Sequence, residues 1–304
     1  MAADPRIATE RRARWLVSGP PLAYLIVFFA VPTLIMLFAS LRTPGEFGGL
    51  APLVDEAGRL DLNLDAYARF FTEPVYFEVF VKSVAFATAT TLLCLLLAYP
   101  LATLIATSPQ RSRSLLLLLV ILPFWSNFLI RIYAWMIILG PNAALARMVN
   151  GVLGWFGGAP VPLLFSSFAV LVCLVYVHLP FMVLPLYANL EKHDPALLDA
   201  AQDLGANGWQ RFWRITFPLS LPGIYAGAAL VFIPALGIFA IPDLLGGPND
   251  TLIGNLIKQQ FLETRDWPFG SVLSIVLTLA ALALAGLAAW FGRRATTARD
   301  LADA

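Results

Sequence analysis

The residues whose spacing says most lie in a polar segment between two long apolar runs. Asp199, Ala200, Ala201, Gly205, Ile215 and Pro218 read D-A-A-x3-G-x9-I-x-F-P. These types form neither a nucleophile–base pair nor a ligand set, so they offer recognition rather than bond making. Two adjacent alanines leave one helix face thin enough to enter a partner's groove. The glycine suits a left-handed helix cap, which lets the chain turn sharply.

A second group of chemistry-bearing side chains falls at or near the apolar runs. Asn127, Arg131 and Trp135 recur every four residues and share one helical face. Trp125, Tyr133, Trp135 and Tyr176 offer rings to a cation, and Asp243 offers a carboxylate at the outer end of the fifth run. An ionisable residue at membrane depth defaults to a functional reading. Arg131 would repel a cationic cargo, so its other reading is a structural pair, with a carboxylate such as Asp243 or with carbonyls. The rings read equally as packing or interfacial belt residues.

These residues need a membrane scaffold to position them. The 304-residue chain is 59% hydrophobic and 13% charged, with mean hydropathy +0.77; soluble domains carry about 25% charge. A bilayer core is crossed by roughly 20 apolar residues. Runs at about 20–41, 79–107, 114–139, 165–190, 219–241 and 270–291 meet that demand. The fold class is therefore an all-α membrane protein with six transmembrane helices. A short tail (1–19) precedes the six-helix transmembrane domain (20–291), a loop at 191–218 joins spans four and five, and a tail (292–304) follows.

The basic residues orient it. With the N-terminus inside, the inner segments hold Arg6, Arg11, Arg12, Arg14, Arg111, Arg113, Lys192, Arg211, Arg214, Arg293, Arg294 and Arg299. The outer segments hold only Arg42, Arg59, Arg69, Arg147, Lys258 and Arg265. Both termini and the 191–218 loop are thus expected in the cytoplasm. The start R-R-A-R-W-L-V precedes a long run with Pro20, Pro21 and Pro32 and no small-x-small site, so an uncleaved first helix is expected. The net charge of +1 points to no nucleic-acid partner.

Local signals shape the loops. In 191–218, Asp194 caps a helix that starts at Pro195. Leu197, Ala200, Ala201 and Leu204 lie along one of its faces. Gly205 ends it, Asn207 caps a second helix through W-Q-R-F-W-R-I, and Pro218 ends that one. The first outer loop (42–78) is expected to hold a short helix near L-D-A-Y-A-R-F-F, capped by Asn63 or Asp65. Tyr176, His178, Pro180 and Pro185 predict an irregular fourth helix. Gly223 and Gly227 form a GxxxG pair for close helix approach, within the subunit or against a partner.

Several chemistries are missing from the sequence. There is no G-x4-G-K-[ST] phosphate loop, so this chain cannot bind ATP by that route. Cys94, Cys173, His178 and His193 suggest no metal site, and the cysteines read as packing residues. No acidic or histidine relay for ion coupling lies deep in a run, which disfavours a stand-alone secondary transporter. No intramembrane enzyme site appears either.

The 191–218 spacing resembles the EAA loop of ABC importer permeases, E-A-A-x3-G-x9-I-x-L-P, with Asp199 for Glu and Phe217 for Leu. Further stretches, L-P-F-W-S-N-F-L-I-R-I-Y-A-W, Y-V-H-L-P-F-M-V-L-P-L-Y and F-A-I-P-D-L-L-G-G-P, resemble the spermidine/putrescine permeases of that class. The resemblance covers about residues 20–291. It implies a type I importer permease (MetI-like) fold in the bacterial inner membrane and a polyamine cargo. It also implies a second permease subunit completing a heterodimeric pore, two copies of a cytoplasmic ABC ATPase that use ATP and Mg, and a periplasmic substrate-binding protein. The permease itself is expected to bind no cofactor. Permeases for opines, phosphonates, thiamine, iron and sulfate share the loop, so other small solutes are the alternative cargo.

Overall fold

Apolar length dictates the architecture, because a backbone in lipid must satisfy its own hydrogen bonds and helices do so within one segment. A computed structural model describes residues 17–54 and 60–300, with side chains to residue 286. In chain order the helices are α1 (Val17–Ala39), α2 (Asp65–Thr72), α3 (Pro74–Thr107), α4 (Gln110–Ile121), α5 (Phe128–Leu139) and α6 (Ala144–Trp155). There follow α7 (Ser167–Leu190), α8 (Pro195–Asp203), α9 (Gly208–Gly237), α10 (Ala240–Leu245), α11 (Ile253–Leu262) and α12 (Trp267–Asp300). Among the described residues, six helical segments are long and apolar enough to cross a membrane. Only two isolated bridges, Pro44–Leu50 and Val54–Leu60, interrupt the helical pattern among the described residues. The basic side chains of both tails, with Asp55, Glu56 and Arg59, lie outside the described residues.

The chain divides into two units, residues 1–74 with 257–276 and residues 75–256 with 277–304. In the first, α2 forms where the sequence placed it, but its N-cap is Leu64 rather than Asn63 or Asp65; Asn63 Oδ1 accepts from the Asp65 N–H at 3.1 Å from one residue outside the cap. Arg69 from α2 pairs with Asp266 at 3.0 Å and lies 4.4 Å from the Phe269 ring centroid, fixing the loop's helix to the start of α12.

In the second unit, α7 is the most enclosed of the candidate spans. Its Met182, Val183, Leu186 and Leu190 pack with Cys94, Ala98, Ala102 and Ile105 of α3 and with Ile224 and Val231 of α9. Cys94 and Cys173 are free and buried. A Cβ on Gly223 would lie 2.7 Å from Asn189 Cβ and 3.2 Å from Leu186 Cα; one on Gly227 would lie 2.6 Å from Met182 Sδ. The GxxxG pair therefore brings α9 against α7 within this chain. Gly223→Val should cost about 1–3 kcal/mol through overpacking, read as a lower unfolding temperature of the purified transporter. An unchanged temperature would show that the contact is looser than this spacing.

Four further expectations need correction. The run 114–139 is not one helix: Leu122–Trp125 form a 3-10 turn around Pro123, and α5 restarts when Asn127 Oδ1 accepts from the Leu129 N–H at 2.8 Å. Proline's missing donor and ring favour that break. Helix α7, by contrast, runs unbroken through Pro180 and Pro185, as enclosed membrane helices can. The fifth run stops at Gly237, so Asp243 sits on the separate helix α10. Pro218 does not end the second loop helix, for the reason given below.

Candidate functional site

The loop between α7 and α9 is built by three consecutive caps. Asp194 Oδ1 accepts from the Ala196 N–H at 2.9 Å, with Pro195 in the first helical turn, and this starts α8. At the other end Gly205 adopts φ +79°, the left-handed region. The Ala206 N–H then reaches Ala201 O at 3.0 Å and the Gly205 N–H reaches Gln202 O at 2.9 Å. That pair of bonds is a Schellman termination, which satisfies carbonyls the helix end would leave bare. Asn207 and Gln210 next form a reciprocal capping box, at 2.9 and 3.0 Å, that starts α9. Arg211 Nη1 donates to Gln202 Oε1 at 2.8 Å and braces the two helices.

From Gly208 the helix continues to Gly237. Phe212–Thr216 form a π-helical turn in which the Phe217 N–H bonds to Phe212 O. The wider turn sits just before Pro218, whose ring would crowd a carbonyl in a tighter one. The loop's second helix and the fifth span are thus one continuous rod, and Pro218 lies inside it rather than at its end.

The outer face of this hairpin is bare. No residue of α8 is buried. Leu204 is 88% and Trp209 71% exposed, and Leu197 and Trp213 are also exposed. Ala200 is exposed beside the half-buried Ala201. Asp199 is exposed, and its carboxylate has no partner among the described residues. Ile215 and Pro218 are half-buried at the base.

The base is anchored on both sides. Tyr99 of α3 meets Phe212 edge-on at 5.4 Å and shares a 3.0 Å hydrogen bond with Ser220. Trp213 packs on Phe217 at 5.0 Å. Arg113 of α4 pairs with Glu191 at the end of α7 and donates to Ala106 O at 2.9 Å. Between these anchors lies a cleft of about 990 Å³, lined by Thr103, Thr107, Glu191, Pro195, Leu198 and Thr216 among others. Such a hairpin, rigid in itself and joined stiffly to one span, can pass a displacement to that span.

The residues placed on the second candidate face separate into three groups. Arg131, Trp135 and Tyr176 do come together, lining a cleft of about 310 Å³ with Ser126. Trp135 meets Tyr176 edge-on at 5.5 Å. Arg131 is 9% exposed, its guanidinium 5.1 Å from the Phe124 ring centroid and 5.8 Å from that of Phe128. Asn127 is occupied in capping α5. Trp125 and Tyr133 are exposed and do not line the cleft.

Asp243 does not pair with Arg131. It accepts from Asn255 Nδ2 and shares another cleft, of about 550 Å³, with Asp250, Phe165 and Thr251. Asp250, within a stretch whose sequence pointed to no role, is the more tightly held of the two. Ser167 Oγ donates to it, Lys82 Nζ pairs with it at 3.2 Å, and the Gly247 N–H donates at 3.0 Å. The loop after α10 is thereby tied to the starts of α3 and α7.

Burial pushes the Asp250 carboxyl pKa up, but the hydrogen bonds from Ser167 and Gly247 and the Lys82 ammonium outweigh it. The net effect holds the group below its ordinary 3.8. A depressed folded pKa stabilises at pH values above the unfolded pKa, and that stability is lost as pH falls through the folded value. Asp250→Asn should therefore cost about 1–3 kcal/mol at pH 7, and the gap to the parent should close only below pH 3.8. Thermal unfolding across pH checks both the loss and the window.

Among the described residues no group of His, Cys, Asp and Glu is arranged to hold a metal. Comparison with known proteins gives the arrangement a context. Residues 98–297 match the family described as binding-protein-dependent transport system inner membrane component. The spermidine/putrescine transport system permease protein PotB of Salmonella typhimurium (strain LT2) is 46% identical over 258 residues, 84% of this chain and 85% of its own length. PotB of Escherichia coli (strain K12) is 45% identical, over 84% and 89% of the two chains. The inner membrane ABC transporter permease protein YdcU of Escherichia coli is 30% identical over 89% and 87%. In fold, the chain superposes on a chain of a bacterial alginate ABC transporter crystal structure with TM-score 0.72 at 19% identity, covering 95% and 98%.

Proposed function

This chain belongs to the family of binding-protein-dependent transport system inner membrane components, and from that premise we propose that it carries polyamines through one half of a two-subunit pore. It is a multi-pass permease subunit of an ABC importer in the inner membrane, not an enzyme; ATP hydrolysis belongs to a partner ATPase. Partner subunits of three kinds follow from membership: an ATPase, a substrate-binding protein and a second permease. Our reading of the assembly is one copy of each permease over two ATPase copies, which use ATP with Mg.

In this reading the 191–218 hairpin is the coupling element. Asp199, Ala200 and Ala201 face the ATPase, Gly205 sets the turn, and Ile215 and Pro218 join the hairpin to α9. Closure of the ATPases on ATP moves the hairpin, and α9 carries the movement to the packed α7 and α3. A ligand shifts such an equilibrium only by binding the two states differently, so the loaded binding protein and ATP must each prefer the outward-open form.

The observation that carries the polyamine assignment is 45–46% identity over 84% of the chain to permeases named for spermidine and putrescine. The Trp135–Tyr176 pair adds rings suited to an alkylammonium. The test uses the complete transporter in nanodiscs with its binding protein. Spermidine or putrescine should stimulate ATP hydrolysis and be taken up, whereas stimulation by an anionic or neutral solute alone would reassign the cargo.

A further inference from the structure

We propose that Arg131 is one half of an ion pair whose carboxylate comes from the second permease subunit, across the face that carries Trp135 and Tyr176. The inference rests on the reading of this chain as one of two permeases. Its observation is an unneutralised guanidinium inside an apolar span. Arg131 is 9% exposed, and its Nε is buried without an acceptor among the described residues. No carboxylate of the described chain lies in ion-pair range of it, and Asp243 bonds to Asn255 instead. Its neighbours are the faces of Phe124 and Phe128. Ring faces attract a cation, yet they do not replace the hydrogen bonds five guanidinium N–H groups require. Burying a charge without a counter-charge is expensive enough that such groups pair or coordinate.

The surroundings sharpen what the counter-charge must be. Arg131 sits in the first turn of the 12-residue helix α5, whose N-terminal end already carries about half a positive charge. Asn127 satisfies only the Leu129 N–H there. Arginine and helix end thus add to one positive field beside an open cleft of about 310 Å³. Beside the bare guanidinium that cleft fits an anion, and a polyamine amine can reach the Trp135–Tyr176 rings only once Arg131 is neutralised. A pathway for polycations cannot leave such a field bare, so the pair also removes a barrier to the cargo.

A lipid phosphate is the other source of an anion. An arginine serving lipid extends its head toward the interface, with the stem along apolar surface. Arg131 instead has its head under two rings, in a cleft whose largely apolar lining (Ile130, Ala134, Trp135, Ile138) also carries the hydroxyls of Ser126 and Tyr176. Ionisable side chains within spans face the bundle interior or a water-filled path. The second permease, which faces such a path, supplies the carboxylate.

The experiment uses the whole transporter, with a tag on this chain and the second permease followed by co-purification. Co-purification of the parental pair tests the two-permease reading by itself; its absence would sink that reading before Arg131 is altered. With the pair established, Arg131→Glu should lower polyamine uptake at least tenfold and Arg131→Lys should retain most of it. Suppressors of Arg131→Glu should map to an Asp or Glu of the second permease. Parental uptake by Arg131→Glu, suppressors confined to this chain, or recovery in nanodiscs without anionic lipid would overturn the proposal. Should Arg131→Glu fail to insert, the membrane carboxylates of the second permease are changed singly to amides against the unaltered chain. One change is then expected to cost the same uptake, and the absence of any such residue would also overturn it.

Discussion

Replacing Gly205 with valine is expected to abolish ATP-driven uptake while leaving all six spans in the membrane. The reason is conformational rather than steric. A Cβ at Gly205 meets nothing within 4 Å, so there is space for a side chain. What valine cannot accept is φ +79°, a genuine outlier for a β-branched residue. The left-handed conformation costs an ordinary L-residue about 1–2 kcal/mol and a β-branched one more, which offsets the two Schellman bonds from Ala206 and Gly205 at about 0.5–1.5 kcal/mol each. The chain then leaves the turn, and α8 no longer points where the capping box of Asn207 and Gln210 would hold it. Because α8 buries none of its residues in this chain, only the exposed Arg211–Gln202 hydrogen bond is left to fix its direction. Gly205→Asn is the control, since asparagine tolerates the left-handed region. It should keep most of the uptake and most of the ATPase that co-purifies with the transporter. Equal failure of valine and asparagine would show that the site needs the bare backbone of glycine for contact, not for its φ. Normal uptake with valine would remove the hairpin from the coupling mechanism.

How much of this was legible in the residues differs from element to element. Caps are local chemistry, so Asp194, Pro195, Gly205 and Asn207 announced their helix ends correctly, while the cap expected at Asn63 or Asp65 falls on Leu64. Long apolar runs announced spans for the same reason, since the bilayer imposes one length scale. What failed were the statements about prolines within or at the end of a helix. Pro123 broke a helix, Pro180 and Pro185 did not, and Pro218 was absorbed by the π turn of Phe212–Thr216. Whether a lost N–H is tolerated depends on what neighbouring helices and a shifted register can satisfy, and one segment's sequence does not contain its neighbours.

The pathway residues show the same limit. Four-residue spacing placed Asn127 on a face with Arg131 and Trp135, but it could not say that a helix begins between Asn127 and Phe128. The knot of Lys82, Ser167, Gly247 and Asp250 joins positions far apart in the chain. No periodicity links them, and only folding makes Asp250 a buried acceptor. The small-residue pair Gly223 and Gly227 marked a close approach, yet left open whether the partner helix was α7 or another subunit. Met182, Leu186 and Asn189 answer that by where a Cβ would fall.

Reversing the charge at Asp199 is expected to weaken ATPase capture without touching the fold. Asp199 is exposed on α8, and its carboxylate has no partner among the described residues. A surface change of this kind usually moves stability by no more than about 0.5 kcal/mol. In the docking proposed above, the same carboxylate is desolvated beside the thin face of Ala200 and Ala201. Opposing a docked charge with the wrong sign costs about 2–5 kcal/mol, which at 1.4 kcal/mol per decade is roughly 30- to 4,000-fold in affinity. Asp199→Arg should therefore insert normally, unfold at the parental temperature and retain little ATPase on purification. Asp199→Glu keeps the sign and adds one methylene, so it should retain the ATPase. Salt separates charge from shape. Raising ionic strength should loosen the parental complex, through screening of the charge pair, and should bring it toward the behaviour of Asp199→Arg. If Asp199→Arg captures the ATPase as well as the parent at low salt, the carboxylate faces solvent in the assembled transporter, and the apolar face of Leu197, Leu204 and Trp209 must carry the docking alone.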